Sequence, residues 1–151
     1  MRVITLFSWP GIQHGVIEGP GMQTDLYATF SQMEGFEASK TALDSFDLSA
    51  SLTSEESRQR TFVPFYSGSE LRAFRVNRHK IHYVTQGAYG RVPKRKEHNP
   101  PMLIDLKNDI GETTDISEKK PAITADINQY AKAFQQSITI KTSIVDSQFS
   151  E

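Results

Sequence analysis

Glu70-Leu71-Arg72-Ala73-Phe74-Arg75-Val76-Asn77-Arg78-His79-Lys80-Ile81-His82-Tyr83-Val84-Thr85-Gln86 is the stretch on which the fold turns. Apolar residues recur every second position over 70–77 and again over 80–86, the period of a β-strand. Asn77-Arg78-His79-Lys80 is a tight connection, so the two runs form an antiparallel hairpin. Phe74 and Val76 share one face and Leu71 and Ala73 the other, while Ile81 and Tyr83 alternate with His82 and Val84. Both faces therefore carry apolar side chains, and both are expected to be covered.

Outward from the hairpin, Thr61 to Tyr66 reads as a preceding strand and Met102 to Leu106 as a short following one, after a loop over 87–101. Pro121 opens the last helix, where a missing N–H costs nothing, and Ile123, Ile127, Tyr130, Phe134 and Ile138 repeat at spacings of three and four. That stripe is expected to lie on the sheet. Upstream, Leu26, Phe30 and Met33 mark one face of a helix over 25–34, with Thr24 placed to cap it and Gly35 to end it. Residues 36–60 read as irregular with one or two helical turns, and 139–151 as a polar tail. Met1 to Trp9 is rich in β-branched and aromatic residues and stops at Pro10-Gly11, so it reads as a strand from the first residue on. Two readings stand: residues upstream of a chain that opens in mid-strand, or a native N-terminal strand tied into a sheet, which composition alone favours.

The composition bounds the chemistry. The chain has 151 residues, 17 Lys+Arg against 18 Asp+Glu, and no cysteine. Near-neutral charge argues against the basic field behind nonspecific nucleic-acid binding, and no apolar run approaches the roughly 20 residues of a membrane span. The missing cysteine excludes disulfides, thiolate metal sites and a cysteine nucleophile. No Gly-x-Ser-x-Gly, Walker loop, G-x-G-x-x-G or His-Glu-x-x-His occurs.

His79 and His82 would suit a metal on a helix, but on a strand residues three apart point to opposite faces. His14 reads as a solvated loop histidine. Asp105 and Asp109 supply too few oxygen ligands for calcium and fit turn roles instead. Arg91, Lys94, Arg95 and Lys96 make a short basic run, a solvated face or a weak site for a sulfated glycan. His98 differs from these, because Pro100-Pro101 fix the backbone just after it.

Taken in order, Glu70 to Arg75, His79 to Gln86, His98-Asn99-Pro100-Pro101-Met102-Leu103-Ile104-Asp105-Leu106 and Asp109-Ile110-Gly111-Glu112 resemble the C-terminal subdomain of arylsulfatase-type sulfatases. That family shows E-L-x-A-x-R, Y-K-x-H-F-x-T-Q, H-x-P-P-L-L-x-D-L and D-P-G-E in the same succession. Tyr83 stands here for the usual Phe, and Ile110 for the usual Pro. Arg2 to Gly11 is similar to the family's R-x-P-x-x-x-x-W-P-G strand and Asp25 to Gly35 to its following helix, with Ala28 in place of Pro.

The resemblance implies an α+β fold, in which about four antiparallel strands pack on one long helix, preceded by the terminal strand and helix of an incomplete α/β alkaline-phosphatase-like domain. It divides the chain into a remnant of the large domain (1–60), the sheet-and-helix subdomain (61–138) and a tail (139–151). It implies further that this is a fragment of a sulfuric ester hydrolase, lining the substrate cleft and inactive alone. The formylglycine nucleophile and the calcium are expected only in the missing N-terminal domain, and a sulfate-ester substrate only together with it. No catalytic and no metal-binding residue is expected within the chain, and neither nucleic acid nor membrane as a partner. His98 is the expected substrate contact and Lys80 a weaker one, for which a cross-strand role is the simpler reading. The chain shows no signal peptide, whereas full-length relatives are commonly periplasmic, secreted or lysosomal. Self-association through an exposed N-terminal strand is expected. The alternatives are a stand-alone module binding anionic glycans through Arg91 to Lys96, or a fragment of a related phosphodiesterase or phosphonate hydrolase.

Overall fold

The computed structural model describes residues 3–17, 19–36, 45–53, 60–88, 91 and 93–138. The chain divides into two compact units, 1–63 and 64–151, taken here one at a time. The expected tail over 139–151 lies outside the described residues.

In the first unit, α1 spans Asp25–Met33 and α2 is a single turn over Ser49–Thr53. Gly35 ends α1 as anticipated, in the left-handed conformation (φ 74°) that glycine adopts without a Cβ clash. Thr24 makes no side-chain cap. Nor does the Leu26/Phe30/Met33 stripe form the buried face: Asp25, Ala28 and Thr29 are buried and Phe30 is 43% exposed. Hydrogen bonding turns the helix this way. Asp25 Oδ1 accepts the Phe46 N–H (2.8 Å) and Oδ2 the Met22 N–H (2.7 Å), while Arg60 forks onto both oxygens with Nε 3.1 Å from Oδ2. The Thr29 hydroxyl donates to Asp25 O (2.7 Å) and accepts the Leu48 N–H (3.0 Å). A buried carboxylate and guanidinium with their hydrogen-bonding atoms so widely engaged outrank an apolar stripe as the determinant of the inward face.

The strand expected over 1–9 is not formed at 3–9, and its first two residues lie outside the described ones. Residues 3–9 lie outside every strand of the structure, with Val3, Ile4 and Leu6 at 75–92% exposure. A strand exists only with a ladder partner, and these residues have none among the described ones. Trp9 stacks on Phe30 with ring centroids 6.4 Å apart.

The second unit is built on a four-stranded antiparallel sheet in the order β1-β2-β3-β4, with β1 at Phe62–Ser67, β2 at Glu70–Val76, β3 at His79–Thr85 and β4 at Lys96–Asp105. The hairpin matches the sequence reading to within a residue at each end, and Asn77 takes φ 50° in its turn. Phe74 pairs with Ile81 and Ile81 with Leu103, so these three line one face. On that face lies α3, Pro121–Ser137, whose Tyr130 and Phe134 rings meet Phe74 at 5.9 and 5.6 Å. Phe74, Ile81, Leu103 and Ile104 are wholly buried, an apolar center of the size that holds a small sheet together. The buried residues of α3 are Thr124, Ile127 and Ala131, slightly rotated from the expected stripe, and Tyr130 is half exposed.

β4 differs most from expectation. It begins at Lys96 rather than Met102, so His98 and both prolines belong to a strand and not to a loop. Proline is tolerated because this is an edge strand and the ladder is interrupted there. His82 pairs with Met102 and Val84 with Glu97: two steps along β3 correspond to five along β4, and the surplus is a bulge containing His98 to Pro101. Asn99-Pro100 is cis.

Candidate functional site

Lys80 and His82 are two apart on β3 and so project from the same face, the one opposite α3. Two basic side chains in line on a covered face require an acid, and Glu112 supplies it. Lys80 Nζ lies 2.9 and 2.8 Å from its two carboxylate oxygens, and His82 Nε2 lies 2.6 Å from Oε2. The Phe65 ring closes over Lys80 Nζ at 4.4 Å, a cation–π contact on a side chain only 8% exposed. The hydrogen bond from His82, with Lys80 beside it, overcomes partial burial and holds the Glu112 carboxyl down to about 2. Glu112 is therefore ionised and acceptor-only, so His82 Nε2 carries the hydrogen.

The backbone bends to allow this. Glu112, and not the adjacent Gly111, takes the left-handed conformation (φ 55°), uncommon for a residue with a side chain. Asp109 builds the preceding turn by accepting the N–H groups of Thr113 (2.8 Å) and Thr114 (2.7 Å). Asp115 Oδ1 accepts the Leu103 N–H (3.0 Å) and the Ser117 N–H (2.9 Å), and the Ile116 N–H donates to Leu103 O. The connection over 109–117 is thus tied along the outer edge of β4 and folded over the sheet face at Glu112.

His98 stands at the bulge, its Nε2 2.8 Å from Thr85 Oγ1. Burial pushes its imidazole below the ordinary value, Lys96 and the neighbouring His82 push the same way, and Asp115 opposes them. Both His82 and Asp115 thus act on this ring. Lys80 does not join it as a binding group: its ammonium is consumed by Glu112 and covered by Phe65.

The remaining candidates disperse. Arg78 forks onto Asp105 and holds that carboxyl down to about 2, with Asn108 Nδ2 also donating to it (3.0 Å). Asp105 is thus a turn and ion-pair residue. Within the basic run Arg95 is shared between Glu70 (2.7 Å) and Glu97, and Arg91, Lys94 and Lys96 are exposed. His79, on the face toward α3, has a buried Nε2 without a partner among the described residues, and burial lowers its imidazole. Tyr83 reaches Asn128 of α3 (2.9 Å) and is pushed up to about 12 by burial. Calcium and formylglycine do not fit these residues: among the described ones no three His, Cys, Asp or Glu side chains converge, and the sequence has no cysteine and no Ser-x-Pro-x-Arg.

Thr85, Glu112 and Phe65 are the members of the site that sequence reasoning did not assign. A signal existed for Glu112, since Lys80 and His82 on one strand face demand a counter-charge. For Thr85 there was none, because the bulge that brings His98 to it is invisible in the strand period.

Residues 58–150 match the family described as the C-terminal region of aryl-sulfatase. Arylsulfatase A of Homo sapiens is 32% identical over 89% of the chain, and that of Bos taurus 28% over 89%. The chain spans about 30% of the length of these curated relatives. Among solved structures, one from Bacteroides thetaiotaomicron, reported under the metabolism of multiple glycosaminoglycans, superposes on 74% of the chain with a TM-score of 0.60 at 16% identity, and covers 24% of that protein. The PsFucS1 sulfatase from Pseudoalteromonas sp. superposes on 73% with a TM-score of 0.58 at 18% identity, again 24% of its own length. At these identities the superpositions speak for the fold, and the family match covers more than half of the sequence. The chain belongs to the aryl-sulfatase family, as its C-terminal region.

Proposed function

We propose that the chain supplies the C-terminal wall of a sulfate-ester cleft, with His98 as a substrate contact at its rim, and that it is inactive without the N-terminal portion of a sulfatase. The observation carrying this reading is the placement of His98: a bulge lifts it out of the β-ladder, Thr85 holds its ring, and Lys96 stands one residue beyond Glu97 on the same strand. A fixed imidazole at the edge of a sheet is suited to donating a hydrogen bond to an anionic oxygen. The inactivity rests on what hydrolysis requires, an activated nucleophile and a metal to polarise the ester. The sequence contains neither the cysteine nor the Ser-x-Pro-x-Arg from which the family's nucleophile arises. The glycan-module alternative is weakened by the engagement of Arg95 with two glutamates.

Two measurements test the proposal. The purified chain should not hydrolyse p-nitrophenyl sulfate, and measurable turnover that survives repurification would refute its dependence on a further domain. A chimera in which this chain replaces the corresponding region of human arylsulfatase A should hydrolyse the ester, with His98→Ala lowering kcat/KM about tenfold or more, the loss of one charge-assisted hydrogen bond. Equal kcat/KM in the two chimeras would remove His98 from the site.

A further inference from the structure

Thr85 and His98 are brought together by the bulge and by nothing nearer in sequence. Thr85 is held by its own ladder pairing with Lys96, and Val84 by pairing with Glu97, so the hydroxyl is presented from the last ordered step before β4 departs. His98 follows at once, its Nε2 2.8 Å from Thr85 Oγ1, and Pro100 and Pro101 limit the backbone on its other side. We propose that Thr85 is a positioning residue for His98: its hydroxyl donates to Nε2 and thereby holds the neutral ring as the Nδ1–H tautomer, leaving Nδ1–H as the donor for an anionic ligand oxygen.

The groups around the ring agree with this assignment. Lys96 from β4 and His82 from β3 disfavour a second positive charge, Asp115 from the connection favours one, and burial adds to the first two. A neutral imidazole has one donor and one acceptor nitrogen, and whichever accepts from Thr85 fixes the other as the donor. At His82 it is Nε2 that bears a hydrogen, toward ionised Glu112. The inference rests on the reading of His98 as a substrate contact for its purpose, but not for its test.

The test is long-range ¹⁵N–¹H NMR of the imidazoles in the full chain without substrate, with His98 assigned by the spectrum of His98→Gln. Wild type should show a pyridine-like Nε2 and a pyrrole-like Nδ1 at His98, and a hydrogen on Nε2 of His82. Thr85→Ser should keep the His98 pattern. Thr85→Val should collapse it to a tautomer mixture and raise the His98 titration midpoint by about 0.5 to 1 pH unit, the worth of one net hydrogen bond to the neutral form. A pyrrole-like Nε2 at His98 in the wild type overturns the proposal, as does an unchanged pattern in Thr85→Val. Should Thr85→Val not fold, the wild-type and Thr85→Ser spectra still decide it. The chimera kinetics judge the substrate role of His98 separately, so either claim can fail alone.

Discussion

Glu112 places its carboxylate Oε2 2.6 Å from His82 Nε2, joining the turn that follows β4 to the middle of β3 across 30 residues of sequence. The same carboxylate takes both hydrogen bonds from Lys80, so one acid ties down two strand positions. Substituting Glu112→Gln leaves the Lys80 ammonium, 8% exposed, without its counter-charge. Breaking a fully buried pair costs roughly 3–5 kcal/mol; with Glu112 itself 25% exposed, about 2–3 kcal/mol is expected. Urea unfolding followed by circular dichroism measures it, and a loss under 0.5 kcal/mol would show that the pair contributes little.

The acid limb of stability follows from the same carboxyl. Its folded value of about 2 lies below the ordinary 4.5, so the unfolded chain binds the proton more readily. This contribution is complete above pH 4.5 and is lost as pH falls toward 2. Glu112→Gln should flatten the stability profile of the second unit between pH 4.5 and 2. An equal slope in both proteins across that window would assign the acid sensitivity to other carboxylates.

In the first unit, Asp25→Ala should be among the most damaging substitutions. It removes the carboxylate onto which the Arg60 guanidinium forks and the acceptor of the Met22 and Phe46 N–H groups. The expected loss is about 3–5 kcal/mol. The single tryptophan, Trp9, lies in this unit, so its fluorescence reports the transition. Retention of the wild-type midpoint would mean that the helix is held by its apolar contacts.

His79 is expected to behave in the opposite way. Its Nε2 is buried without a partner among the described residues, and burial lowers its imidazole, so the folded state disfavours protonation. His79→Phe should be neutral or stabilising by about 1 kcal/mol, because an unpaired buried polar atom disappears. Its folded value being depressed, the wild-type contribution is complete above about pH 6.5 and falls below it; the variant should lose less stability on going from pH 7 to pH 5. A variant that unfolds more readily at pH 7 would show that His79 has a partner in solution.

Val3, Ile4 and Leu6 stand 75–92% exposed outside any strand. We propose that this segment drives self-association of the isolated chain. Sedimentation velocity should show oligomers that are lost on substituting all three by Ser; monomers at high concentration in the wild type would overturn this.

Periodicity made the hairpin, α3 and its proline start readable, because these depend on residues a few positions apart. The four ordered motifs carried the family, which the match over 58–150 bears out. Local reading failed where long-range contacts compete with it. The apolar stripe of α1 gave way to Asp25 and its partners, and the β-branched run at 3–9 formed no strand without a neighbour.

Local pattern therefore determined the β2–β3 hairpin and the helices α1 and α3, and the order of motifs determined the family. Which side chains meet was decided only in three dimensions. A surplus of residues in β4 carries His98 to Thr85, and a left-handed backbone at Glu112 turns its carboxylate onto Lys80 and His82. The physical reason is that neither a bulge nor a positive φ at a non-glycine leaves a period in the sequence. Both persist because the contacts they make outweigh their local cost.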